Sequence, residues 1–151
     1  MNRWGRIALV LAGLVVATSP WVTSLQAAER PSLRDAPDLT GIRGLIKVEK
    51  FAEAITELDK MVAFGAEHAD IFNLLAFSQR KSGDLNNAAI NYRKALALEP
   101  DHLGALEYQG ELFVMLKDMP AARANLARLV ALCPSGCEER EDLEKAIAEA
   151  K

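Results

Sequence analysis

Two cysteines are all that the 151-residue sequence contains, and aromatic residues make up only 6% of it; half of the residues are apolar and 26% are charged. That balance excludes disulfide-dense, collagen-like and disordered classes. An excess of charge of either sign is missing too. Lysine and arginine total 18 and aspartate and glutamate 21, a net charge of −3 that gives nucleic acid no basic footprint. There is no glycine-rich phosphate loop, no His-Glu-x-x-His and no nucleophile elbow, and the acidic residues are scattered, so neither catalysis nor a cofactor or metal is expected. The length corresponds to one domain with a real core and not to a large multidomain enzyme.

Long apolar runs are scarce as well. Arg3 and Arg6 precede the strongest one, the eleven residues Ile7 to Ala17, and a Thr/Ser/Pro stretch then leads to Ala27 and Ala28. A positive start, a short apolar centre and a small-residue cleavage site make a secretory signal peptide. The expectation is a signal over 1–27 cut after Ala27, with Val22 and Ser24 also suited to a cleavage site, and a linker over 28–36 marked by Pro31. The rival is an uncleaved membrane anchor, since no charge interrupts Ile7 to Ala28, but Pro20 and the Thr/Ser residues weaken it. Both readings leave the remainder outside the cytoplasm, periplasmic or secreted. Without Arg3 and Arg6, 16 basic residues face 21 acidic ones. Such a domain has no pull toward anionic membranes.

A period of 34 residues organises the rest. Phe51, Leu85 and Met119 keep that spacing, as do Ala54, Ala88 and Ala122, then Leu58, Tyr92 and Leu126, then Met61, Ala95 and Leu129, then Phe64, Leu98 and Leu132. Pro100 and Pro134 follow it, and so do His68 and His102. Within a unit, apolar residues recur at steps of three and four, as in Leu85, Ala88, Ala89, Tyr92, Ala95 and Leu96, which predicts amphipathic helices. Gly83-Asp84 breaks the middle unit halfway, where one helix ends and a second begins. The predicted unit is a helix-turn-helix.

These residues resemble tetratricopeptide repeats, which are 34 residues long and run W-x2-L-G-x2-Y, then A-x3-F, then P. Phe72, Leu75, Ala76, Ala88, Tyr92 and Pro100 fit in the middle unit, where Gln79 departs. Leu106, Gly110, Phe113, Ala122, Leu126 and Pro134 fit in the third, where Gln109 and Lys117 depart. The first unit is degenerate, with Asp38 and Gly41 at apolar positions, Ala66 in place of the proline, and only Ile42, Leu45 and Ile46 for an apolar face. The resemblance implies an all-α fold, a right-handed α-solenoid of three repeats at about 37–67, 68–101 and 102–135. Glu138 to Lys151, acidic at its start and apolar at Leu143, Ala146, Ile147 and Ala150, is predicted to form a helix over 137–151 that caps the last repeat.

Cys133 and Cys137 flank the junction with that helix, and in an exported chain an even pair reads first as a disulfide. The alternative is a copper- or thiol-handling protein that uses both sulfurs, since soft thiolates suit Cu(I). His68 and His102 read as solvated or capping positions at helix starts rather than a ligand pair.

If the units stack as in the resembled family, the first helices line a concave groove that binds a peptide or protein. Helix phase places Arg43 and Lys47 there from the first unit, Asn73, Phe77 and Arg80 from the second, and Glu107, Tyr108 and Glu111 from the third. The groove would run from basic to acidic, with Phe77 as an apolar centre. The family's clamp for a C-terminal carboxylate is not matched, because Leu39, Arg43, Gly104 and Tyr108 stand where its Lys, Asn and Arg residues belong. The resulting expectation is a non-catalytic adaptor or scaffold of the cell envelope; self-association through an open repeat face is a further possibility.

Overall fold

The computed structural model describes residues 36–150, so the expected signal peptide and nearly all of the expected linker lie outside the described residues. Among the described residues the chain is all-α, with seven helices and no strand: α1 Thr40–Lys47, α2 Phe51–Ala63, α3 Ala69–Lys81, α4 Leu85–Leu98, α5 Leu103–Met115, α6 Met119–Leu132 and α7 Glu138–Glu149. None of these helices is long and apolar enough to cross a membrane. Each helix packs on its chain neighbour from α1 to α6, α7 packs on both α5 and α6, and α3 meets α5.

The helix boundaries follow from residues that repeat every 34 positions. His68 and His102 cap α3 and α5, each with Nδ1 accepting a backbone N–H, from Asp70 and Ala105 respectively, at 3.2 Å. Asp84 and Asp118 do the same for α4 and α6 through their carboxylates. Glu49, Gly83 and Lys117, also 34 apart, all adopt a left-handed backbone, with φ of 58°, 87° and 60°. Each closes its helix with the same pair of turns: Lys50, Asp84 and Asp118 donate to Leu45, Gln79 and Phe113 carbonyls, the Schellman arrangement. Only the middle unit supplies the glycine that this conformation favours.

Ala54, Ala88 and Ala122 are fully buried, and so are Leu58, Tyr92, Ala95 and Leu129. The small column lets neighbouring helices approach while the larger one fills the space beside it. The fifth periodic column behaves differently. Phe64, Leu98 and Leu132 close their helices on the exposed side, and Phe64 is 89% exposed. In the first unit Leu39, the residue just before α1, is buried with Ile42, Ala54 and Leu58.

The two glutamines that depart from the repeat pattern have buried partners. Gln79 accepts from Asn91 Nδ2 at 2.8 Å, and Gln109 accepts from Asn125 Nδ2 at 3.0 Å, with Asn125 also reaching the Leu106 carbonyl. Asn91 and Asn125 are themselves 34 apart. A polar side chain replaces an apolar one in the α3/α4 pair and in the α5/α6 pair, and its hydrogen bond is met across the pair.

At the end of the array, Leu143 of α7 is fully buried with Leu106 and Leu129. Gly110 makes this seat possible, since a Cβ there would lie 2.5 Å from Leu143 Cδ2.

Candidate functional site

Helix phase brings together residues of α1, α3 and α5 that lie three, four and seven apart. Phe77 is the centre: its ring lies 4.8 Å from that of Tyr108 and 6.3 Å, edge-on, from that of Phe51. The Arg80 guanidinium sits 5.4 Å from the Phe77 centroid and 5.7 Å from that of Tyr108. Lys81 approaches Phe77 to 5.8 Å. Aromatic faces attract cations, so the arrangement fixes two bases against one apolar patch.

Arg80 is held from beneath as well. It pairs with Glu111 at 2.5 Å and donates through Nε to the Tyr92 hydroxyl at 3.3 Å. Burial pushes the Tyr92 hydroxyl well above its ordinary pKa, with the Arg80 charge opposing. Tyr92 therefore stays a neutral acceptor. At the other end, Arg43 lies 3.6 Å from Asp70, whose Oδ1 also meets His102 Nε2 at 3.1 Å.

Two adjoining cavities open on this surface. One, of about 210 Å³, is lined by Arg43, Ile46, Lys47, Leu74, Phe77 and Tyr108. The other, of about 260 Å³ and more polar, shares Arg43, Leu74 and Tyr108 and adds Asp70 and Asn73 from α3, Gly104 and Glu107 from α5, the cap His102, and three acids from the start of α7. Glu107 is only 5% exposed. Its carboxyl is pushed up to about 8 by burial first, then by the negative charges of Glu111, Asp142 and Glu139. Burial, helped by Glu107 and Glu111, also pushes the Tyr108 hydroxyl up to about 12. Both groups are therefore mostly protonated near neutral pH.

Of the eight residues placed in the groove by sequence, six line these cavities: Arg43, Lys47, Asn73, Phe77, Glu107 and Tyr108. The remaining two, Arg80 and Glu111, form the ion pair beside the aromatic centre. Arg43 and Lys47 are exposed, Phe77, Tyr108 and Glu111 are half-buried, and Asn73, Arg80 and Glu107 are buried. Sequence reasoning missed Asp70, Leu74 and Gly104, although Asp70 and Leu74 share the face of Asn73 and Phe77. It also missed Glu138, Glu139 and Asp142, because α7 was assigned only a capping role.

Cys133 and Cys137 stand at disulfide distance, with α-carbons 5.9 Å apart, and join the end of α6 to the start of α7. The stretch between them is a turn, not a continued helix, with Gly136 at a φ of 96°. Among the described residues no group of three or more His, Cys, Asp or Glu side chains is placed to hold a metal ion. No protein-family model matches the chain, and no curated protein matches it.

Proposed function

We propose that this protein is a non-catalytic adaptor or scaffold of the cell envelope, exported by a cleaved signal peptide and built as a right-handed solenoid of three tetratricopeptide-like repeats closed by α7. It binds a peptide or protein partner along the inner faces of α1, α3 and α5. The observation that carries this reading is the convergence of Arg43, Lys47, Asn73, Phe77, Glu107 and Tyr108 on two adjoining cavities around the Phe77–Tyr108 pair. A half-buried aromatic centre with a polar rim is the composition of a binding hot spot. The recurrence every 34 residues of the buried alanine, the left-handed turn and the capping residue supports the stacking.

The reading is tested by selecting peptides on the protein from a random displayed library and titrating the best binder calorimetrically. Phe77→Ala is expected to weaken that binder at least tenfold, about 1.4 kcal/mol, while Lys145→Ala on exposed α7 surface leaves it unchanged. Absence of any selected binder, or equal affinity in a folded Phe77→Ala variant, refutes the groove assignment.

A further inference from the structure

The cavity of about 260 Å³ gathers carboxylates without gathering cations to match them. Arg43 and His102 both engage Asp70. Glu107, Glu138, Glu139 and Asp142 take part in no ion pair found among the described residues. Acidic residues at the start of α7 are by themselves ordinary, because the helix dipole favours them there. Asn73 is not ordinary. It is 4% exposed, its side chain lines the cavity, and its Oδ1 has no hydrogen-bond partner among the described residues. Buried amide oxygens are almost always satisfied, and one that is not calls for a donor from elsewhere. Gly104 leaves space beside that amide, since a Cβ there would lie 3.4 Å from Asn73 Nδ2.

We propose that this cavity receives a primary ammonium group of the bound partner, a lysine side chain or a free peptide N-terminus, with Asn73, Glu107, Glu139 and Asp142 supplying its acceptors. An ammonium carries three donors and no acceptor, and charge-assisted bonds to carboxylates are the strong ones. The acceptors stand on three helices, α3, α5 and α7, and so surround a compact point charge instead of presenting one flat edge to a guanidinium. Leu74 and Tyr108 form the wall against which an aliphatic stem would lie. A cation seated there also favours the charged form of Glu107, which burial disfavours.

The inference rests on the peptide-binding reading, since the adjoining cavity would hold the next part of the same partner. Its test uses small probes that need no selected peptide. N-acetyl-lysine methylamide titrated into 15N-labelled protein is expected to shift the Gly104 backbone amide and the Asn73 side-chain amide, and N-acetyl-norleucine methylamide to bind at least tenfold more weakly. Glu139→Gln/Asp142→Asn, changes at the cavity rim, should weaken the lysine probe at least fivefold with an unchanged circular-dichroism spectrum. Leucine methylamide, with a free α-amine, distinguishes the sources: tighter binding than the lysine probe assigns the cavity to an N-terminus, weaker binding to a side chain. Equal affinity for lysine and norleucine, tighter binding of N-acetyl-arginine methylamide, or shifts confined to other surfaces overturns the proposal. If library peptides bind through Phe77 while the cavity stays silent, only the ammonium assignment falls. If no library peptide binds, the groove reading falls and the lysine titration still decides the cavity.

Discussion

Replacing Gly110 by alanine tests how α7 is seated. The new Cβ would stand 2.5 Å and 2.7 Å from the two Leu143 methyls, both in a fully buried side chain. Overpacking of that kind costs about 1–3 kcal/mol, whereas a glycine-to-alanine change inside a helix gains about 1 kcal/mol. Gly110→Ala alone should therefore range from neutral to about 2 kcal/mol destabilising. Leu143→Ala empties the same space and should cost about 2–5 kcal/mol. In that background the clash is gone, only the helix gain remains, and Gly110→Ala should stabilise by about 1 kcal/mol. The sign of one substitution thus depends on the other, a coupling of about 1–3 kcal/mol that urea denaturation of the four proteins, followed by far-ultraviolet circular dichroism, measures directly. If Gly110→Ala gives the same stabilisation with and without Leu143, the two residues are not in contact and α7 does not cap α5 as described.

Two further predictions concern charge and covalent chemistry. Glu107 titrates near 4.5 when unfolded and near 8 when folded, so between those values the folded state holds the extra proton and its contribution to stability declines as pH rises; Glu107→Gln should flatten the fall in melting temperature between pH 4.5 and 8, and an unchanged profile would show that Glu107 is not the group responsible. Cys133→Ser/Cys137→Ser opens a very short loop and should cost about 2 kcal/mol in the chain-entropy model, with thiol titration of the wild type finding no free sulfhydryl; two reactive thiols and stoichiometric Cu(I) would favour the copper- or thiol-handling alternative.

The helical units were legible because apolar residues at steps of three and four can lie on one helix face and hardly anywhere else. Ala54, Ala88 and Ala122 marked the close approach of helices through their size alone. The same period could not say which columns are buried. Phe64, Leu98 and Leu132 repeat as faithfully as the alanines, yet they fall at the last residue of a helix or just beyond it, where the face turns outward. Equivalence of position and burial are separate signals. The departures at Gln79 and Gln109 were unreadable for a related reason: each is compensated by an asparagine 12 or 16 residues away on the neighbouring helix, and such a partner is identified only once the helices are paired in space. Lys117 and Glu49 hide the turn that Gly83 advertises, because the backbone adopts the left-handed conformation at all three positions while only one has the residue that signals it.

The site shows how far helix phase can reach and where it stops. Phase, once the stacking was taken from the family resemblance, assigned eight residues to one surface, because it then needs only the rotation of each helix about its own axis. It predicted a run from basic to acidic, but it did not foresee the pairings that cancel much of that charge. Arg43 faces Asp70 and Arg80 faces Glu111, so neither arginine is a free positive pole. What is left uncompensated among these residues is Lys47 on α1 and, across the surface, the acids that begin α7, beside the largely protonated Glu107. The polarity therefore persists with different carriers, and its negative end depends on a helix that sequence assigned to capping alone. Loss of the α7 seat at Gly110 and Leu143 should consequently disturb the acidic cavity before it disturbs the aromatic centre at Phe77, since α7 supplies walls to the first and none to the second.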